Sequence, residues 1–352
     1  MTANGGLSAP GPQDRDSVPP SSYTGPPPPG YPAQPQSAML TAHQPGIVPL
    51  RPLQLGDILD GAVKAVRFNP KSMVGLSALV LAVFLVPSAA LGIGATHLTA
   101  RALSRFGPEA GGFIGIPSSL IQMTFTELAT ALLSGLLIHV VGQAVLGRRP
   151  DLAQTWRSTR GRLRALIVLV ILSGLFGLLS LLVLTGPGLL LLFNDKPAGG
   201  LILLLVGLLG LLALTLAVST KISMAAPAIV LEGHGVLAGL RRSFTLTRGA
   251  AFWRILGITL LAGVFAAVAG ALLGLPFSAL GIGLAAMAGQ DTETGQMVVT
   301  FISHLSALLS GAITTPFVAA VTGLLYIDAR MRREALDVVL LREAQSNPAP
   351  RI

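Results

Sequence analysis

Glu127 and His304 are the residues of this chain whose type and setting could do chemistry. Each falls inside a long apolar run, near 118–146 and 297–326. A charge at the centre of a bilayer costs roughly 2.5–3.5 kcal/mol on insertion scales, so such residues ask for a reason. Thr124, Glu127, Thr130 and Ser134 fall on one helical face, and Ser303, Ser306, Ser310 and Thr314 form a similar stripe beside His304. Counted from the outer ends of their runs, the two residues lie at comparable depth. They are a candidate intramembrane polar pair, able to hold a proton or a cation in a polar cavity. The preferred alternative is plainer: hydroxyls at helical spacing let helices approach closely and hydrogen-bond.

Other chemistry is sparse. Glu232 and His234 flank Gly233 between two helical patterns, which suggests a broken turn. Asp328, Arg330, Arg332, Arg333 and Glu334 read as a solvated helix end with local ion pairs. The chain has no cysteine, which excludes disulfides, thiol catalysis and cysteine metal sites. It contains no phosphate-binding glycine loop, no serine or zinc hydrolase motif and no acidic cluster with metal-ligand spacing. The expectation is a protein without catalytic residues, cofactor or metal, and not an enzyme.

The elements that must position these residues are six apolar runs, near 72–96, 118–146, 164–192, 199–226, 252–288 and 297–326. Each reaches the roughly 20 residues that cross a hydrocarbon core of about 30 Å. Backbone amides find no water in hydrocarbon, so such continuous runs must be helices. Only 11% of the 352 residues are charged, against about 25% in soluble domains. The predicted fold is all-α: a polytopic bundle of six transmembrane helices in three hairpins.

Charge sets the expected orientation. With the N-terminus placed in the cytoplasm, 20 of the 24 lysines and arginines fall in inner loops and tails. Outer loops hold only Arg101, Arg105 and Lys196. The positive-inside rule then predicts a plasma-membrane protein with both termini cytoplasmic. The net charge of +9 is gathered at the ends of the runs, which points to anionic lipid rather than nucleic acid. Amphipathic stretches precede the first, third and fifth runs, at 52–68, 151–163 and 236–248. They read as interfacial helices, and Arg157, Arg160, Arg241, Arg242 and Arg248 are candidate contacts to anionic lipid at the inner leaflet. The recurrence also suggests three repeated units, starting near residues 52, 151 and 236.

Residues 1–48 carry eleven prolines and no apolar core of a signal peptide. They read as a disordered cytoplasmic arm that a protein partner could bind, followed by a membrane domain over 49–342 and a cytoplasmic tail over 343–352.

Three stretches carry a resemblance. The first runs from Pro49 to Gly61, PLRPLQLGDILDG. The second is Ala226 to Gly233, APAIVLEG, with Leu240-Arg241-Arg242-Ser243 after it. The third is Leu324 to Glu334, LLYIDARMRRE. Together they resemble actinobacterial multi-pass proteins with the glycerophosphoryl diester phosphodiesterase membrane domain. The resemblance implies this topology over roughly 49–340. In some relatives the domain is fused to a metal-dependent phosphodiesterase, but no His-Arg-Gly motif of that enzyme occurs here. The function expected is therefore non-enzymatic, organising lipid or a partner at the inner leaflet. The alternatives are a small-solute or lipid transporter with a polar cavity near Glu127 and His304, or the membrane subunit of a glycerophosphodiester system.

Overall fold

The computed structural model describes residues 46–49, 51–107, 111–194, 196–289 and 292–334. Among them every regular element is helical. In chain order these are α1 (Leu55–Phe68), α2 (Leu76–Phe106), α3 (Gly111–Val145), α4 (Leu152–Thr159), α5 (Leu163–Phe193), α6 (Pro197–Ile222), α7 (Ala225–Glu232), α8 (Val236–Leu246), α9 (Ala250–Ala288) and α10 (Glu293–Glu334). A π-helical turn, Lys71–Gly75, leads into α2.

Six of these helical stretches are long and apolar enough to cross a membrane, and they coincide with the six runs. The chain is an all-α integral membrane protein. Consecutive long helices pair most extensively with each other, giving three hairpins: α2 with α3, α5 with α6, and α9 with α10. The expected amphipathic helices are present as α1, α4 and α8. Local chemistry sets their ends. The Gln54 amide donates to Asp57 Oδ2 at 3.0 Å at the start of α1, and the Gln154 amide donates to Asp151 Oδ1 at 2.6 Å at the start of α4.

The core lies between α2, α3 and α10, with α1 packed on α10. Leu133, Leu136, Leu137, Ala320, Leu324 and Tyr326 are fully buried there. The α5–α6 hairpin is peripheral. In the most apolar window of α6 only 6% of residues are buried, against 56% in α3. Leucines therefore line its outer surface, which hydrocarbon tolerates and water does not.

Several expectations change. α1 does not lie flat with its whole apolar face towards lipid: Ile58, Gly61, Ala62 and Ala65 are buried in the bundle. α5 and α9 run without a break through Pro187 and Pro276. Residues 97–106, with Arg101 and Arg105, form the last turns of α2 rather than an outer loop. Most of the arm (1–45), the last residues assigned to the membrane domain (335–342) and the tail (343–352) lie outside the described residues. The last residues assigned to the arm belong to the bundle instead. Ile47 and Val48 are buried, and the Ile47 amide donates to the Ala144 carbonyl at 3.3 Å.

At about 1.5 Å per residue, the 42 residues of α10 extend about 63 Å, twice the hydrocarbon thickness. α10 is therefore longer than the hydrocarbon requires, and its last two turns carry Asp328, Arg330, Arg332, Arg333 and Glu334.

Candidate functional site

The C-terminal turns of α10 organise two groups of charges at the arginine-rich end. The first centres on Asp328, which is fully buried. Its Oδ1 accepts the Leu53 amide at 2.7 Å. Arg332, one turn on, donates through Nε to both carboxylate oxygens at 3.0 and 3.1 Å. Arg254, near the start of α9, donates through Nη1 to Oδ2. The same two arginines close the ring, since Arg254 Nη2 and Arg332 Nη2 donate to the Leu53 carbonyl at 2.8 and 2.7 Å. One backbone unit of the lead-in segment is thus held by its amide and its carbonyl at once. A buried carboxylate is tolerable only when paired and hydrogen-bonded, and this one has both kinds of partner.

The second group centres on Glu232, the last residue of α7. Gly233 follows with φ +75°, a left-handed conformation that suits glycine and turns the chain into α8. His234 Nε2 lies 2.9 Å from Glu232 Oε2. Arg242, two turns into α8, donates to Glu232 in a fork, with Nε to Oε2 at 3.0 Å and Nη2 to Oε1 at 3.0 Å. From α10, Tyr326 donates its hydroxyl to Oε1, and Arg330 Nε stands 3.2 Å from the same oxygen. Glu334 completes the group, accepting Arg242 Nη2 at 2.7 Å and Arg330 Nε at 3.1 Å. These carboxylates, Glu334 first and then Glu232, hold the Arg242 guanidinium above its usual pKa. Forked arginine–carboxylate pairs are the stronger kind, so α7, α8 and α10 are joined here.

Arginine and lysine side chains tie the remaining helix ends. Arg333 donates to the Thr245 carbonyl and, through Nη2, to the Arg248 carbonyl at 2.8 Å. Lys221 Nζ donates to the Thr247 carbonyl at 3.0 Å and lies 5.2 Å from the centre of the Phe252 ring. Arg162 donates to the Val230 carbonyl. Cations at helix C-termini satisfy carbonyls that have no partner within the helix.

The two residues singled out first are not brought together among the described residues. His304 is buried between α2 and α10, with Nδ1 2.8 Å from the Thr300 carbonyl and Nε2 3.2 Å from Ser88 Oγ. Both ring nitrogens thus have partners. The Glu127 side chain is exposed on α3. The stripes around them bond back into their own helices: Thr130 to the Glu127 carbonyl at 3.0 Å, Ser310 to the Ser306 carbonyl at 2.7 Å, and Thr314 to the Ser310 carbonyl at 3.0 Å.

Of the five candidate lipid-contacting arginines, Arg157, Arg160, Arg241 and Arg248 are exposed. Arg242 departs from the set, since its guanidinium is committed to Glu232 and Glu334.

Asp328, expected in a solvated helix end, is instead the most enclosed charge described at that end. A signal for this was present. Leu324, Leu325 and Met331 lie three or four residues away on the same helical face, so Asp328 interrupts an apolar stripe. Glu232 likewise closes an apolar run, Ala225 to Leu231. Among the described residues no three of His, Asp and Glu stand close enough to share a metal ion. No protein-family model, no curated protein and no solved structure matches the chain.

Proposed function

We propose that this is a non-enzymatic plasma-membrane protein that organises lipid, or a partner protein, at the inner leaflet, with both termini in the cytoplasm. One observation carries the reading. The arginine-rich end contains an internally paired frame, and outside that frame Arg157, Arg160, Arg241 and Arg248 are exposed with no ion pair among the described residues. Cations on a rigid frame beside six apolar helices suit anionic headgroups, at about 1 kcal/mol for each arginine near the surface. The skewed distribution of lysine and arginine supports placing that end inside. The solid packing of leucine and alanine between α2, α3 and α10 favours an organising role over a solute pathway through the bundle. The membrane-domain resemblance agrees with this topology.

The test is a comparison of the wild-type protein with a variant carrying Arg157→Gln, Arg160→Gln, Arg241→Gln and Arg248→Gln. Both are reconstituted in mixed phosphatidylglycerol and phosphatidylcholine vesicles. Lipid mobility by spin-label spectroscopy should show selective immobilisation of phosphatidylglycerol around the wild type, and this should fall several-fold in the variant. Equal selectivity would reject the reading. Reporters fused after Lys196 and after Arg160 should report opposite sides of the membrane, with the second in the cytosol.

A further inference from the structure

α1 has a second apolar face that the core does not use. Its buried face, Ile58, Ala62 and Ala65, points into the bundle, while Leu55 and Val63 remain 44% and 40% exposed. Val63 and Val66 of α1, Phe265 and Ala269 of α9, and Ile313 and Phe317 of α10 border a groove of about 540 Å³. The wall offers hydrocarbon. Thr314, the hydroxyl residue in it, already donates to the Ser310 carbonyl at 3.0 Å.

Two charged residues from α1 stand at the rim, Asp60 and Arg67. Asp60 is neutralised by Lys64 at 2.7 Å. Arg67 is exposed and makes no ion pair among the described residues. Its place in the last turn of α1 suits the helix dipole, but the dipole leaves the guanidinium free to bind an anion.

An apolar cleft with one uncompensated cation at its edge is complementary to an amphiphile with an anionic head. An acyl chain suits such a wall, because the part beyond the groove remains in the surrounding hydrocarbon. We infer that this groove binds one membrane glycerophospholipid, with an acyl chain between α1, α9 and α10 and its phosphate on Arg67. The site deepens the lipid-organising reading and rests on it, yet it uses none of the four exposed arginines that carry that reading.

The experiment uses the full-length protein in vesicles containing phosphatidylglycerol with a photoreactive diazirine midway along one chain. After illumination, peptide mapping should place label on the groove residues of α1, α9 or α10. Ala269→Trp, which fills the cleft, should remove that label. Arg67→Gln, at an exposed position, should weaken labelling about tenfold at limiting probe, as expected when one charge-assisted contact is lost. The quadruple arginine variant should keep it.

Labelling spread evenly along the lipid-facing leucines, or unchanged by both groove variants, overturns the site. Capture of a protein in place of lipid at these residues overturns it as well. Should Ala269→Trp lose helical circular dichroism, Arg67→Gln decides alone. Groove labelling that disappears while the headgroup selectivity of the four arginines persists rejects this site and spares the broader reading.

Discussion

The α5–α6 hairpin and the arginine-rich end formed by α7, α8 and the second half of α10 are held together by opposite means. The hairpin contains no ion pair among its described residues and makes its contacts through leucine and glycine. Gly207 shows how close the approach is: a Cβ there would lie 2.0 Å from the Leu184 carbonyl oxygen. At the other end Asp328 and Glu232 each collect several donors from helices distant in the chain. In hydrocarbon, burying apolar surface gives helices no advantage over lipid, so close backbone approach must hold them. Beyond the hydrocarbon, paired charges become usable, because the donors and the acceptor can be satisfied together.

Substitutions can break this contrast, and their effects should fall in order. Asp328→Ala removes the shared acceptor and strands Arg254, Arg332 and the Leu53 amide. It should destabilise the protein by about 3–5 kcal/mol, read as a large fall in the unfolding midpoint in detergent. A loss below 1 kcal/mol would show that the ring is incidental. Glu232→Gln keeps the shape but leaves Arg242 and Arg330 with Glu334 alone, and should cost about 1.5–3 kcal/mol. A double-mutant cycle with Arg242→Gln should return a coupling of about 0.5–3 kcal/mol, whereas additive effects would mean the fork contributes nothing.

Gly207→Leu forces α5 and α6 apart and should cost about 1–3 kcal/mol. Because the native chain lacks cysteine, spin labels on Leu182→Cys and Leu209→Cys, both at exposed positions, can report the spacing directly. Their separation should grow when Gly207→Leu is added. The smallest effect is expected on the lipid-facing side of the same hairpin. Leu182→Ala, at a position 59% exposed, should change stability by within about 0.5 kcal/mol. A loss comparable to that of Glu232→Gln would show that this surface is covered by protein.

Much of the architecture could be read from periodicity. The six runs, their hairpin pairing and the three amphipathic helices needed only local pattern, because a backbone in hydrocarbon has one way to satisfy itself. Local rules would end a helix at an internal proline, yet Pro187 and Pro276 sit in uninterrupted helices, where neighbouring packing supports backbone groups that a proline leaves free. The candidate pair lay beyond local pattern too. Glu127 and His304 were matched by depth, but depth says nothing of azimuth, and Ser88 is what stands 3.2 Å from His304.

The residues that organise the arginine-rich end could be seen in the sequence only as charges. Asp328 meets Leu53 across 275 positions and Arg254 across 74, and no local rule links them. By itself, the sequence determined the solvent of this protein: apolar length and the clustering of arginine specify hydrocarbon for six helices and a charged boundary at one end. Tertiary structure alone decided which charges face inwards and which remain exposed. That choice is set by where helices cross, because a carboxylate can be buried only where donors from several of them converge.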